Sequence, residues 1–208
     1  KKTLKALQML RLYGAEVIVA DGGSRDNTQS ECGNLADCWV DAPQGRAVQM
    51  NAGADVARYS VMLFLHADTV LPLCSVKLLK TFIESGCIWG RFDVRLSGDK
   101  KMYRVIETMM NCRSRLTGIA TGDQAIFVKK TYFERVGRYP NQPLMEDIVL
   151  TQKLKKISRP YCIKSPVTTD SRRWKKHGVW KTILLMWSLR FQYMLGVDVE
   201  KLHRQYYS

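Results

Sequence analysis

His66 and Asp68 stand two residues apart at the end of an apolar run that begins at Val61, so in an extended chain their side chains leave on the same side. A nitrogen and a carboxylate placed in this way can share one divalent cation, as half of a site that carries a diphosphate. A turn is the competing reading, because Asp68-Thr69 is good loop chemistry and Pro72 ends the extended segment. Glu146 and Asp147 form an acidic pair behind the turn-like stretch Tyr139-Pro140-Asn141-Gln142-Pro143. Adjacent carboxylates repel, which raises the proton affinity of one, and an attacking hydroxyl needs a proton acceptor. Acidic residues in a first helical turn are also favoured by the helix dipole with no chemistry attached. Arg172 and Arg173, next to Trp174, offer planar forks that fit diphosphate oxygens on a closing loop, or belong to a solvated charge run at residues 168–176.

Glycine loops supply further anion sites. Asp21-Gly22-Gly23-Ser24 directly follows an apolar strand, where two glycines allow a tight turn with the backbone close to a ligand, and Ser24 or Asp26 caps the next helix. Gly45-Arg46 opens a helix, so peptide dipoles and a guanidinium attract an anion together. Residues 118–124, ending in Gly122-Asp123-Gln124, read on their own as a glycine turn before a strand at 125–128.

These residues need a scaffold, and the periodicities describe one. Leu4, Leu7, Leu10 and Tyr13 have helical spacing, and Gly14 stops that helix. Short apolar runs at 16–20, 38–40 and 61–65 alternate with a helix at 46–58, the pattern of an α/β domain with a mostly parallel sheet flanked by helices. Ligands then sit at the C-terminal ends of the strands. Helices are expected at 75–85 and 102–116, and a strand at 87–96. The chain divides into a domain over 1–175 and a helical tail over 176–208. Within the tail, residues 179–197 interleave tryptophan and tyrosine with aliphatic residues, interrupted by Lys181 and Arg190. That composition suits an interfacial helix on an anionic membrane, and equally a helix packed on the domain or on a second subunit.

With 208 residues the chain suits one sizeable domain, and 46% hydrophobic against 25% charged residues is an ordinary globular balance. Its net charge of +14 is not ordinary, and draws in phosphorylated substrates, nucleic acid or anionic lipid. The six cysteines show no metal-ligand spacing and read as reduced thiols of a cytoplasmic protein, which the segment 179–197 would allow to sit peripherally on a membrane. Lys1-Lys2-Thr3 and the segment after it do not read as a signal peptide, and no run reaches the roughly 18 apolar residues of a membrane span.

Taken in order, residues 21–28, then Gly45-Arg46 with Met50-Asn51-Ala52-Gly53, then Leu63-Phe64-Leu65-His66-Ala67-Asp68 resemble the family 2 glycosyltransferases of the GT-A fold. The likeness extends from Gly14 to about Gly196 and is strongest to the radical-SAM/selenodomain-associated transferase subgroup, in which His-Ala-Asp replaces the commoner Asp-x-Asp. Such relatives begin with a strand and loop that line the nucleotide site, and by that measure the usual first strand is missing here.

The resemblance implies a metal-dependent, inverting transfer of a sugar from a nucleotide-diphosphate sugar to an acceptor hydroxyl, with a lipid-linked acceptor among the candidates. It places Asp21, Gly22, Gly23, Ser24, Gly45, Arg46 and Asn51 at the nucleotide, and Asp68 with His66 on Mn²⁺ or Mg²⁺. Gly122, Asp123 and Gln124 fall beside the sugar and acceptor, Arg172, Arg173 and Trp174 at the donor, and Asp147 is the base with Glu146 beside it. Two other readings compete. A nucleotidyltransferase would share the sheet and the metal carboxylates but would not need Asp147. A basic nucleic-acid-binding module fits the charge but lacks the motifs of such modules, so no nucleic acid is expected.

Overall fold

The computed structural model of the chain describes residues 2–207, and helices and strands alternate along its first half: α1 (Lys2–Leu12), β1 (Ile18–Asp21), α2 (Thr28–Cys32), β2 (Cys38–Asp41), α3 (Arg46–Val56), β3 (Val61–Leu63), β4 (Thr69–Val70) and α4 (Ser75–Glu84). Then come β5 (Trp89–Leu96), α5 (Lys101–Thr117), β6 (Phe127–Lys129), α6 (Lys130–Arg135), α7 (Glu146–Ile157), β7 (Tyr161–Thr169), α8 (Arg172–His177), α9 (Val179–Met194) and α10 (Val199–Tyr207). The α/β class, the flanking helices and the helical C-terminal region are those the sequence predicts.

Strand direction departs from the expectation of a mostly parallel sheet. β1 and β2 form a parallel pair, but the second sheet, in the order β3-β6-β5-β7-β4, is parallel only between β5 and β7. Apolar periodicity reports how a strand is buried and is the same for either direction, so it gave no warning of this.

The run before His66 is a strand for a shorter stretch than expected. β3 ends at Leu63, although the Phe64 N–H still donates to the Ile126 carbonyl at 2.8 Å. The Thr69 N–H then closes a turn on the His66 carbonyl at 3.0 Å, and β4 pairs with the end of β7. Phe64 anchors the approach to this turn, with its ring 5.1 Å from Phe133 and 5.0 Å from Tyr139, the latter edge-on, a geometry that favours aromatic pairs.

Packing fixes the helices over the sheet. The Asn111 amide accepts from Val94 N–H at 2.9 Å and donates to its carbonyl at 3.0 Å, and Glu107 accepts from Leu96 N–H at 2.6 Å, so α5 is tied to β5 at two points. Asp93 on β5 binds the fully buried Arg91 and also Arg115 of α5. Gly90 is required where β5 passes β7, because a Cβ there would run into the Tyr161 carbonyl and the Phe127 ring.

The C-terminal helices cover the domain. Leu189, Leu202, Tyr193 and Val199 form one cluster with Leu144, Met145 and Ile148 at the start of α7. The opposite face of α9 leaves Trp180, Leu184, Trp187, Phe191 and Met194 exposed. No helix among the described residues is long and apolar enough to cross a membrane. Residues 168–176, expected as a loop, are instead the end of β7 followed by α8, whose start is held by the Ser171 N–H donating to Ser97 Oγ at 3.0 Å.

Candidate active site

A cavity of about 690 Å³ opens where the β3–β4 turn, the segment between α5 and β6, the start of α7 and the helices α8 to α10 meet. Of the residues singled out in the sequence, Arg46, His66, Asp68, Asp123, Glu146, Asp147, Arg172, Arg173 and Trp174 line it. They come from five separate stretches of chain. Asp21, Gly22, Gly23, Ser24, Gly45, Asn51, Gly122 and Gln124 do not line it.

Asp147 is the most constrained of the acidic groups. One carboxylate oxygen accepts the Gly122 N–H at 2.7 Å and the other accepts the Ile148 N–H at 2.7 Å. The residue just before the pair, Met145, has φ 64°, a left-handed conformation that costs an ordinary residue roughly 1 kcal/mol. Burial of Met145 against Leu189 and Leu202 holds it there, so the tail helices help to aim the start of α7.

Glu146 is buried, and burial followed by repulsion from Asp147 pushes its pKa up to about 7. An unfolded glutamate titrates near 4.5. Between those two values the folded protein keeps a proton that the unfolded chain has released, so stability falls as pH rises through this window. Glu146→Gln should therefore raise the free energy of unfolding at pH 8, by on the order of 1–3 kcal/mol, and change it little near pH 4.5. Denaturant titrations at the two pH values check this, and equal effects at both would refute it.

His66 has its Nδ1 3.6 Å from the Asp123 carboxylate. Burial works against a charge on the ring, but Asp123 outweighs it and the pKa is raised; in turn burial opposes ionisation of Asp123, and His66 overcomes it and lowers the Asp123 pKa. Nε2 is buried with no hydrogen-bond partner. It faces Gly122, where a Cβ would collide with the imidazole, so the close approach of loop and ring depends on that glycine. A carboxylate beside Nδ1 orients the ring and raises its basicity, as the partners of metal-bound histidines do, while Nε2 packs on Gly122. Asp68 is half-exposed, with Arg172 3.7 Å away. No cluster of three or more His, Cys, Asp and Glu suited to a metal occurs among the described residues. The donors present therefore fit an ion that takes its other ligands from diphosphate and water, as Mg²⁺ commonly does.

The arginines of the cavity differ in what engages them. Arg172 is exposed and pairs with Asp170 at 2.8 Å beside Asp68. Arg173 is taken up by Tyr206: its guanidinium lies 3.4 Å from the ring centroid and donates to the Tyr206 carbonyl at 2.7 Å. Arg46 faces Tyr206 and Glu146; burial opposes its charge, but these neighbours more than offset that and its pKa is raised. Arg113 and Arg190 also line the cavity, and were not singled out in the sequence. Arg190 left a trace there, as a cation inside an apolar helix, whereas nothing marked Arg113 on α5 or Tyr206 on α10.

Several expected ligand contacts have structural partners. Asp21 accepts from the N–H groups of Gly23 and Ser24 at 2.9 and 2.7 Å and from the Ser24 hydroxyl at 2.5 Å, so its carboxylate organises its own loop. Those bonds hold Asp21 below the usual carboxylate range, with the Ser24 hydroxyl the largest cause. Asn51 donates to the Tyr139 carbonyl at 2.9 Å and accepts its N–H at 3.2 Å. Gln124 is fully buried and its side chain accepts the Thr121 N–H. Gly45 has φ 146°, a value that keeps this helix start to glycine.

A profile of the family described as glycosyl transferase family 2 matches residues 1–139, more than half of the 208. The chain belongs to glycosyl transferase family 2. The matched residues include His66 and Asp68, the Gly45-Arg46 helix start and the Gly122 loop. No curated protein matches the sequence. Among solved structures, S. aureus TarS 1-349 is similar with a TM-score of 0.64 at 16% identity, over 82% of this chain and 57% of that one. TarS 1-349 in complex with UDP-GlcNAc gives 0.59 at 16% over 74% and 49%, and a mycobacterial protein 0.54 at 14% over 81% and 59%. At such identities the likeness is one of fold. The chain spans little more than half the length of the TarS 1-349 chain.

Proposed function

We propose that this protein is a metal-dependent, inverting glycosyltransferase of the radical-SAM/selenodomain-associated subgroup, moving a sugar from a nucleotide-diphosphate sugar to an acceptor hydroxyl. The observation that carries the reading is the meeting of Asp68 and His66, the Glu146-Asp147 pair and Arg172 in one cavity of a family 2 chain. Asp68, with His66, would hold Mg²⁺ or Mn²⁺, which when bound neutralises charge on the diphosphate. Arg172 adds a fixed positive charge on the leaving-group side. Asp147 takes the proton from the acceptor hydroxyl, whose oxygen forms a bond to the anomeric carbon from the face opposite the diphosphate. The bond from that carbon to the diphosphate oxygen breaks, its electron pair leaves with the nucleoside diphosphate, and the configuration inverts. The Asp21-Gly22-Gly23-Ser24 loop at the end of β1 is the place for base and ribose.

The experiment is a thermal-shift panel of nucleoside diphosphates and their sugars with Mn²⁺. UDP-GlcNAc is the first donor to try, because it is the ligand of the TarS complex. A ligand present at a hundred times its Kd stabilises the native state by about 2.7 kcal/mol, a shift of several degrees in Tm. Labelled donor then separates the chemistries: release of nucleoside diphosphate supports sugar transfer, whereas transfer of the nucleotide itself would favour a nucleotidyltransferase. No shift with any nucleotide, together with salt-sensitive binding of random oligonucleotides, would overturn the enzyme reading.

A further inference from the structure

We infer that the acceptor is an anionic amphiphile: a hydroxyl-bearing molecule of the phospholipid class, whose phosphate lies between Arg113 and Arg190 and whose apolar chain runs between α5 and α9. The inference rests on the transferase reading of the same cavity and names the class of acceptor.

Neither arginine has an anionic partner in contact among the described residues. Arg113 Nε and Nη2 are buried and make no hydrogen bond, and neither arginine forms an ion pair among the described residues. Burial, and then the like charge of Arg190, hold Arg113 down to about 10, so it is still a cation at neutral pH. Two repelling cations kept half-buried in a cavity leave a strong site for an anion, which would satisfy the Arg113 donors that have no partner among the described residues.

Their position separates this site from the donor diphosphate. Arg172 stands beside Asp68, where the metal half-site is. Arg113 and Arg190 instead line the cavity with Asp147 and both feel its charge, and Arg190 feels that of Asp123 as well. An anion held there is on the side of the proton acceptor, and so belongs to the molecule whose hydroxyl attacks.

The apolar part follows from the helices that carry the arginines. Ile106 of α5 and Ile183 of α9 share one apolar cluster, and two turns further along each helix come Arg113 and Arg190. Between these levels both helices turn methionines to the cavity, Met109 and Met110 on one side and Met186 on the other. Methionine is flexible and polarisable, suited to an apolar ligand of no fixed shape. Met109 and Trp187 line the cavity and are still 47% and 58% exposed, so the apolar end opens to the surface. It opens beside the exposed face of α9 that carries Trp180, Leu184 and Phe191, with Lys175, Lys176 and Lys181 exposed nearby. A chain leaving the cavity passes onto an apolar surface with a cationic margin, the composition of a helix that meets anionic lipid.

The test is calorimetric binding of inorganic phosphate, butyl phosphate, octyl phosphate and octyl glucoside to the full chain, with nucleoside diphosphate and Mn²⁺ present so that the donor phosphate site is filled. Affinity should rise from inorganic to octyl phosphate, by up to about fourfold for each methylene buried, and octyl glucoside should bind far more weakly than octyl phosphate. Arg113→Gln and Arg190→Gln should each weaken octyl phosphate by roughly 10- to 100-fold while nucleotide affinity stays within about twofold. Trp187→Ser, at an exposed position, should weaken octyl phosphate and leave inorganic phosphate unchanged. Equal affinities for inorganic and octyl phosphate, or full octyl phosphate binding in both arginine variants, would overturn the inference with the transferase reading intact. Octyl phosphate binding that needs both arginines in a protein that binds no nucleotide would instead sink the transferase reading and leave the anionic, apolar site standing.

Discussion

Asp147→Asn should lower the rate of sugar transfer by a factor of about 10² to 10⁴ while donor affinity stays near that of the parent. The substitution keeps the shape of the side chain and removes its basicity. An amide oxygen can still accept the Gly122 N–H that Asp147 accepts at 2.7 Å, so the loop carrying Asp123 should hold its place. The bond from Ile148 N–H is the one most exposed to loss, at a net cost of about 1 kcal/mol, too little to unfold the domain. Donor binding is expected to survive because Asp68, His66 and Arg172 lie elsewhere on the cavity wall. Transfer under saturating donor and calorimetric donor affinity are the two measurements. Loss of donor binding with transfer retained would remove Asp147 from the base role and turn attention to Glu146 or Asp123, which share the cavity.

Asp68→Ala should abolish metal-dependent binding of the nucleotide sugar and leave the fold intact. The carboxylate is 40% exposed, and its side-chain neighbours are Thr69 Oγ1 at 3.4 Å and Arg172 at 3.7 Å, contacts whose loss costs little. If a cation binds through Asp68, removing the residue takes away the chain's main oxygen ligand for it. Equal Mn²⁺-dependent affinities in variant and parent would sink the assignment. His66→Asp is the companion, because it replaces a nitrogen with a hard oxygen and should move preference from Mn²⁺ toward Mg²⁺. An unchanged preference would make His66 a residue that positions the loop through Asp123 and Gly122 and touches no metal.

Much of the scaffold could be read from the chain itself. Apolar runs and helical spacing located the strands at 18–21, 38–41 and 89–96 and the helices that start at Arg46 and Ser75, because each such signal lies within one segment. Polar residues that interrupt those patterns at strand ends and helix starts marked His66, Asp68, Glu146 and Asp147 as candidates, although turn chemistry and the helix dipole offered a structural reason for the carboxylates too. Strand direction was beyond reach, since the sheet of β3, β6, β5, β7 and β4 is mixed and burial patterns are blind to direction. So were the partners that decide what each polar residue is available to do. Asn51 is engaged by Tyr139, Arg173 by Tyr206 and Gln124 by Thr121, while Arg113 and Arg190 make no ion pair among the described residues. Sequence determined which chemical groups this protein owns and which local elements carry them. Tertiary packing decided which of those groups face one another across the cavity, because a hydrogen bond between residues 88 apart, such as Asn51 to Tyr139, follows from where whole helices come to rest and leaves no periodicity behind.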